Sequence, residues 1–183
     1  ANDFKQLATE VNGGNNYSNT YFKIPETVTE TIELSTDDGY VPIGNDTNQF
    51  EGTFDGGNHT INLNLTGERL VGLFGEGGEN SNLCNIRTTG SVSMTGYYAG
   101  GIVANMYGNV VNCHNEASVT GYYHVGGIVG ISDNSKYIIN CSNSGAIVGN
   151  MNVGGIVGNI STLKVINCLN TGTVQGGSCG GIA

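Results

Sequence analysis

The side chains that could carry out a reaction are sparse in this sequence. The 183 residues include 15 aspartates and glutamates, six lysines and arginines, and three histidines. Hydrolysis of a polysaccharide needs two carboxylates that converge on one face. Glu76, Glu79, Glu116 and Asp133 fall at unrelated positions of the repeat described below. Because the spacing also predicts no Ser/His/Asp or Cys/His arrangement, we expect this chain not to be an enzyme.

The cysteines leave three alternatives open: buried free thiols, disulfides or a metal site. They are Cys84, Cys113, Cys141, Cys168 and Cys179. The middle three recur every 27 or 28 residues at the position that Ile86 takes earlier, which indicates a small apolar side chain in the interior. Cys84 aligns with Val111 and Ile139, and Cys179 aligns with Ala99, Val125 and Val153. In-register parallel strands give poor disulfide geometry, and no Cys-x-x-Cys spacing suggests zinc, so we expect buried free thiols and no metal or cofactor.

Tyrosines form the most distinctive candidate for a binding site. The segments are "TGYYAGG" at 95–101 and "TGYYHVGG" at 120–127, and they contribute Tyr97, Tyr98, Tyr122, Tyr123 and His124. They fall in a variable part of the repeat, so some rings should be exposed. Exposed tyrosines suit sugar stacking or protein contacts, although the rings could merely cover a corner. The variable arm at 131–137 is a second candidate for recognition.

A repeated glycine-apolar phrase indicates the structure that positions these residues. "VGGIVG" occurs at 125–130 and at 153–158, with weaker copies before and after. Three columns of residues keep a period of about 27. The columns are Leu73, Ile102, Ile128, Ile156 and Ile182; then Ile86, Cys113, Cys141 and Cys168; and then Val92, Val119, Ile147 and Val174. Such a period is typical of a solenoid.

The short Val- and Ile-rich phrases predict strands and not helices. Three strands per repeat, with Gly and Asn at the bends, predict an all-β parallel β-helix of about 27 residues per coil. The repeated Ile should fill the interior, and the glycines before it should permit a tight bend or a backbone conformation that a side chain forbids. Asn115, Asn143 and Asn170 also stack, after Thr88, and are expected to hydrogen-bond along their column.

The first part of the chain differs from the repeats. Residues 1–20 predict a capping helix and lead-in, with Asn2 or Asp3 as N-cap and glycines at 13–14 as its end. Residues 21–183 predict the β-helix, with irregular early coils to about 70 and regular repeats over 70–183. Because the sequence stops within a phrase, at "GGIA", we expect it to be C-terminally truncated, with further coils or domains in the same chain.

The sequence resembles the GLUG-motif repeat family. The resemblance rests on "YVPIGNDTNQFEGTFDGGNHTINLNL", then "VGLFG", then the repeated "GGIVG" and "INC" phrases, and it covers nearly the whole chain. It implies a non-catalytic repeat module at a bacterial cell surface or secreted, as in adhesin-like proteins and immunoglobulin A protease precursors. The alternatives are a spacer that presents another domain and, less favoured, a carbohydrate-active enzyme.

Composition and charge limit the classes of partner that this chain could bind. The net charge is −9, so an anionic nucleic acid is disfavoured. No run approaches the roughly 20 apolar residues of a membrane span, and no basic amphipathic segment suggests a membrane surface. The resemblance, together with the tyrosine segments, implies a host glycan or an extracellular protein as the partner, bound outside the cell.

Overall fold

The computed structural model describes residues 1–132, 136–161 and 164–183. It confirms the predicted fold class, a parallel β-solenoid of about five turns with roughly 27 residues per turn and one N-terminal helix. Every pairing between named strands is parallel, and each strand pairs with its counterpart one turn away. The solenoid therefore repeats its interior and its surface at the strand spacing of ~4.8 Å.

The elements are short and follow one another around each turn. In chain order they are α1 Asn2–Asn12, β1 Tyr21–Lys23, β2 Ile32–Ser35, β3 Thr53–Asp55, β4 Thr60–Gly67, β5 Leu70–Val71, β6 Phe74–Gly77, β7 Asn82–Cys84, β8 Arg87–Met94, β9 Tyr98–Gly100, β10 Val103–Met106, β11 Asn109–Val111, β12 His114–Asn115, β13 Ser118–Thr120, β14 Tyr123–Gly126, β15 Val129–Ser132, β16 Tyr137–Ile139, β17 Ser142–Asn143, β18 Ile147–Val148, β19 Met151–Gly154, β20 Val157–Ile160, β21 Lys164–Ile166, β22 Leu169–Asn170, β23 Val174–Gln175 and β24 Cys179–Gly180.

The strands form four sheets, so the prediction of three strands per coil is wrong. One sheet runs β1-β3-β7-β11-β16-β21 and another runs β20-β15-β10-β6. A third runs β22-β17-β12-β8-β13-β18-β23 with β2 and β4 attached, and the fourth runs β24-β19-β14-β9-β5. The glycine turn, for instance between β14 and β15, divides one expected face into two sheets, and a bend divides β17 from β18.

The predicted columns lie in register along the solenoid. Val119 pairs with Val92 and with Ile147, which in turn pairs with Val174. Ile102, Ile128 and Ile156 are completely buried, and so are Val119 and Ile147. Val174 is only partly buried because its coil is the last one, with no further coil stacked on it in this structure.

In the glycine pairs of the repeat, glycine is required because a Cβ atom would have no room, and not because of the backbone conformation. Gly126 and Gly127 have no positive φ, so the expected forbidden conformation is not the reason for them. A Cβ at Gly126 would lie 1.9 Å from the carbonyl oxygen of Val129, across the tight turn between β14 and β15. A Cβ at Gly127 would lie 2.2 Å from the Gly155 carbonyl oxygen and 2.5 Å from Cγ of Asn143.

A buried asparagine ladder fills the space that the second glycine leaves. The Asn115 amide nitrogen donates to Oδ1 of Asn143 at 2.7 Å, and Asn143 donates to Oδ1 of Asn170 at 2.8 Å. Thr88 Oγ1 donates to Asn115 at the other end, at 2.8 Å. The same amide nitrogens also donate to backbone carbonyls two residues ahead, such as Ala117. Since buried amides are costly unless paired, this ladder stabilises the stack of coils.

A second asparagine column, on the outside, escaped the sequence reasoning. Asn85, Asn112, Asn140 and Asn167 all have φ between 52° and 54°. Their side chains are linked, for instance from Asn167 Nδ2 to Asn140 Oδ1 at 2.7 Å. Asparagine is the non-glycine residue that most readily takes this left-handed conformation. The signal was available in the Asn that precedes each repeated Cys.

Asp55 ends this outer column at the first coils. Asn85 Nδ2 and the Gly57 amide donate to Oδ1 of Asp55, each at 2.9 Å, and the Tyr21 hydroxyl donates to Oδ2 at 2.6 Å. Burial alone would raise the pKa of Asp55, but these hydrogen bonds outweigh it and hold the pKa below its ordinary value. The hydrogen bond to Asp55 raises the pKa of the Tyr21 hydroxyl to about 12. This carboxylate is thus engaged in holding a corner.

The helix packs its apolar face on the first coils. Phe4, Leu7, Ala8 and Val11 are buried, as their spacing predicted, and the Phe4 ring contacts the Phe54 ring at 5.6 Å. The N-cap prediction is wrong, because the helix already begins at Asn2, after Ala1, and has no side-chain cap. Large aromatic side chains fill the early coils, whereas Ile, Val and Cys fill the regular ones.

Candidate binding surface

The tyrosine surface comprises Tyr97, Tyr98, Tyr122, Tyr123 and His124, which the structure brings together on two neighbouring coils. The rings of Tyr97 and Tyr123 stack with an interplanar angle of 18° and a centroid distance of 6.1 Å. Tyr98 contacts His124 at 5.3 Å. Tyr122 stands nearly perpendicular to Tyr123, at 79° and 4.6 Å. All five predicted rings therefore belong to one continuous cluster.

The cluster is partly open to solvent. Tyr97 is 56% exposed and Tyr122 is 47% exposed, whereas the other three rings are half-buried. Strands β9 and β14 position them, because Val125 pairs with Ala99 and fixes Tyr123 beside Tyr97. The next coil continues the column with Met151, which pairs with Tyr123 and is 45% exposed.

One end of the tyrosine surface carries an ion pair. Arg69 precedes β5 and aligns with Tyr97, because Leu70 pairs with Tyr98. An Arg69 guanidinium nitrogen lies 3.2 Å from a carboxylate oxygen of Asp46. The cation at this end is thus already matched by an anion.

A serine, a histidine and a glutamate meet on another face of the solenoid. His114 Nδ1 lies 2.6 Å from Ser142 Oγ, and His114 Nε2 lies 3.2 Å from a Glu116 carboxylate oxygen. Arg87 lies 3.2 Å from the same oxygen. Nucleophile, base and orienting carboxylate in hydrogen-bond reach are the features of a hydrolytic triad. The sequence alignment of His114 with Ser142 was a signal for this contact, although spacing alone did not predict Glu116 beside them.

The backbone at these three residues is already engaged in hydrogen bonds between coils. The backbone N–H groups of His114, Glu116 and Ser142 donate to carbonyls of the preceding coil. None of these groups is therefore available to stabilise an oxyanion. The residues lie on an open sheet face, and the network links the coils of Arg87, His114 and Ser142 across the surface.

The other acidic candidates do not converge with Glu116. Glu76 is buried in β6, on a different sheet, and accepts a hydrogen bond from Gln49 at 2.7 Å. Burial raises the pKa of its carboxyl group above the ordinary value. Glu79 is exposed after β6. Asp133 and its neighbours at 134–135, within the proposed recognition arm, lie outside the described residues.

All five cysteines are free thiols. Cys113 and Cys141 are buried, and the backbone amide of Cys113 donates to the Cys141 sulfur at 3.5 Å. The expectation of burial is wrong for Cys84, which is half-exposed because β7 turns the neighbouring residue, Leu83, inward instead. It is wrong for Cys179 as well, which is exposed in the last coil. Cys168, also in the last coil, is partly exposed.

We expect alkylation of the folded protein to follow this burial. At pH 8, a maleimide should modify Cys179 first, Cys84 more slowly, and Cys113 and Cys141 only after unfolding. The neighbouring Cys113 thiol, together with burial, raises the pKa of Cys141 to about 12, and burial raises that of Cys84 to about 11. Thiols with such pKa values carry little reactive thiolate at pH 8. Peptide mass spectrometry at successive times measures the order, and equal rates at Cys141 and Cys179 would contradict it.

The described residues contain neither a group of metal-binding side chains nor a membrane-spanning helix. Within 1–132, 136–161 and 164–183, no three His, Cys, Asp or Glu side chains are grouped to hold a metal ion. In the same ranges, no helix has the length and apolar character needed to cross a membrane.

Comparisons with known proteins fit this architecture. The crystal structure of a candidate immunoglobulin A1 protease from Bacteroides ovatus matches 96% of this chain and 81% of that protein, with a TM-score of 0.61 and 16% sequence identity. The two proteins share a fold. At this identity the likeness to the Bacteroides protein shows the fold alone.

A second comparison rests on sequence. Over 112 residues the chain is 39% identical to halomucin of Haloquadratum walsbyi, and the match covers 56% of this chain. It covers 1% of halomucin, so the chain spans a very small part of that relative's length. No protein-family profile matches the chain. The chain is thus similar to a segment of halomucin and to the fold of the Bacteroides protein.

Proposed function

We propose that this chain is an extracellular, non-catalytic repeat module that binds a host glycan or an extracellular protein through the tyrosine surface. The observation that carries the proposal is the continuous cluster of five rings, in which Tyr97 and Tyr122 are exposed to solvent. Tyrosine combines a large apolar ring with a polar hydroxyl, which suits contacts in water. The location outside the cell is supported by the GLUG-like pattern and by the names of the two similar proteins.

The non-catalytic part of the proposal rests on the geometry of the candidate groups. The backbone N–H groups of His114, Glu116 and Ser142 are already paired with carbonyls. Glu76 lies in β6, whereas Glu116 follows β12, which belongs to another sheet. A carbohydrate-active enzyme of this fold would need two converging carboxylates. The alternative that remains is a spacer that presents another domain, which the regular coils would also serve.

A binding screen separates the module from the spacer. The protein is tested against glycan arrays, mucin, immunoglobulin A and matrix proteins, beside a variant in which Tyr97, Tyr98, Tyr122 and Tyr123 are all changed to Ala. We expect binding that this variant loses, because the rings supply the contact. Tyr137→Ala is the matched control, since Tyr137 is exposed on another sheet.

Circular dichroism of both variants shows whether the solenoid is retained. Absence of any binding by the folded protein would favour the spacer. Binding that the quadruple variant keeps would place the site elsewhere on the solenoid.

A further inference from the structure

The tyrosine surface has a direction, which restricts the shape of its ligand. Tyr97, Tyr123 and Met151 form one column along the solenoid axis, and Tyr98, His124 and Asn152 form the column beside it. Successive members are one coil apart, at the strand spacing of ~4.8 Å. These side chains therefore form a ribbon two columns wide and three coils long, in which every member except Asn152 is apolar or aromatic.

The order of the rings along the ribbon suits a ligand that repeats at the same interval. Tyr97 and Tyr123 lie nearly parallel, so each coil offers a similar ring edge and hydroxyl group. Tyr122 is turned across them and, being 47% exposed, offers part of a ring face. Sugar units in a linear chain have apolar C–H faces and hydroxyl edges, and one pyranose unit is about as long as one coil is high.

Charge disfavours an anionic polymer at this surface. The chain has a net charge of −9, and Glu68 is exposed beside the ribbon. Arg69, at one end, is already paired with Asp46. The remaining lysines and arginine lie in α1 or in and beside strands of other sheets; they are Lys5, Lys23, Arg87, Lys136 and Lys164. A sulfated, uronic or sialylated chain would thus meet no free cation there.

The narrow outline also favours a glycan over a globular protein. A stable protein interface commonly takes about 800 Å² from each partner, with an apolar core and 20–30 residues a side. The strands that carry the ribbon turn inward directly after it, since Val125, Gly126, Val153 and Gly154 are buried and add no exposed apolar surface. The exposed tyrosines therefore form a line and not a broad patch.

We infer that the tyrosine surface binds an uncharged linear oligosaccharide that lies along the solenoid axis, with about one sugar unit per coil. This inference rests on the proposed binding function and specifies its ligand class. It predicts a length dependence, because the affinity should rise until the glycan spans the coils of Tyr97, Tyr123 and Met151 and should then level off. It also predicts that the rings of the tyrosine surface all contact one bound oligosaccharide.

Calorimetry with defined probes tests the inference. The probes are maltohexaose, cellohexaose and chitohexaose, their disaccharides, and a heparin hexasaccharide as the polyanion. We expect at least one neutral hexasaccharide to bind roughly tenfold more tightly than its disaccharide, with heparin not bound. Tyr123→Ala should weaken that binding about tenfold, the equivalent of one lost ring contact. Tyr137→Ala should leave it unchanged, and circular dichroism confirms that both variants are folded.

The possible failures have different meanings. Tighter binding of heparin than of the neutral probes would overturn the inference, and so would hexasaccharide binding that Tyr123→Ala does not weaken. If only a protein from the earlier screen binds and no hexasaccharide does, the glycan inference falls while the binding module stands. If neither a protein nor a glycan binds, both fall.

Discussion

Replacing Ile128 with Asp is expected to leave the protein unfolded at 25 °C. Ile128 is 0% exposed and lies between Ile102 and Ile156, with backbone hydrogen bonds of 3.1 Å and 2.9 Å to the two neighbouring coils. An aspartate there would be an unpaired charge among apolar side chains. The cost, several kcal/mol, is comparable with the 5–15 kcal/mol that stabilises a typical domain. The far-ultraviolet circular dichroism spectrum should lose its β signal.

The same charge on the outside provides the control. Val148 is 38% exposed, and its partners on adjacent coils are Thr120 and Gln175, both polar. Val148→Asp should therefore melt close to the unchanged protein. Ile128→Ala should fold but lose about 2–5 kcal/mol of unfolding free energy, through lost burial and a cavity. A normal thermal transition in Ile128→Asp would refute the interior assignment of this column.

Replacing Gly127 with Ala is expected to lower the melting temperature by roughly 10 °C, which corresponds to about 3 kcal/mol for a chain of this size. The added methyl group would lie 2.2 Å from the carbonyl oxygen of Gly155 and 2.5 Å from Asn143 Cγ. The Gly155 oxygen belongs to the next coil, and Asn143 belongs to the buried asparagine ladder within the same turn. Relief of the overlap requires the coils to separate, which strains the hydrogen bond from Gly127 to Gly154 and the asparagine ladder.

Gly181→Ala is a matched control within the same column. Gly181 aligns with Gly155, because Gly180 pairs with Gly154, yet a Cβ at Gly181 would meet nothing within 4 Å. Neither Gly127 nor Gly181 has a positive φ, so any difference between the two variants reports space and not backbone preference. We expect Gly181→Ala to be neutral or slightly stabilising. Differential scanning calorimetry of both variants measures the effect, and equal melting temperatures would rule out the steric explanation for the glycine pairs.

The fold could be predicted because the recurrence of residue types along the sequence shows which residues align on neighbouring coils. Parallel coils in register need the same kind of residue at each level, so Val92, Val119, Ile147 and Val174 had to recur at one period. The helix was predictable on a different ground. Its apolar residues recur at helical spacing and form one stripe, and that stripe must pack on the core. The tyrosine segments belong to equivalent parts of two repeats, so their meeting on one surface followed from the same register.

The details of corners and surfaces could not be obtained in this way. The glycine pair suggested either a tight bend or a forbidden φ. Only the packed coils show that the tight turn applies at Gly126 and that the Gly155 carbonyl and Asn143 occupy the space beside Gly127. Cys84 follows Leu83, which points inward, and the alignment of Cys84 with Val111 and Ile139 did not reveal this. The contacts of His114 with Ser142 and with Glu116 depend on side-chain rotamers on two neighbouring coils.

By itself, the sequence therefore determined the solenoid, its period and the residues that fill it, because a repeated interior imposes a repeated pattern. Tertiary structure alone decided that each turn contributes to four sheets, that a buried asparagine ladder and a glycine column share one space, and that the rings form an axial ribbon. These features depend on distances between neighbouring coils. A linear pattern of residue types does not contain those distances until the chain is wound.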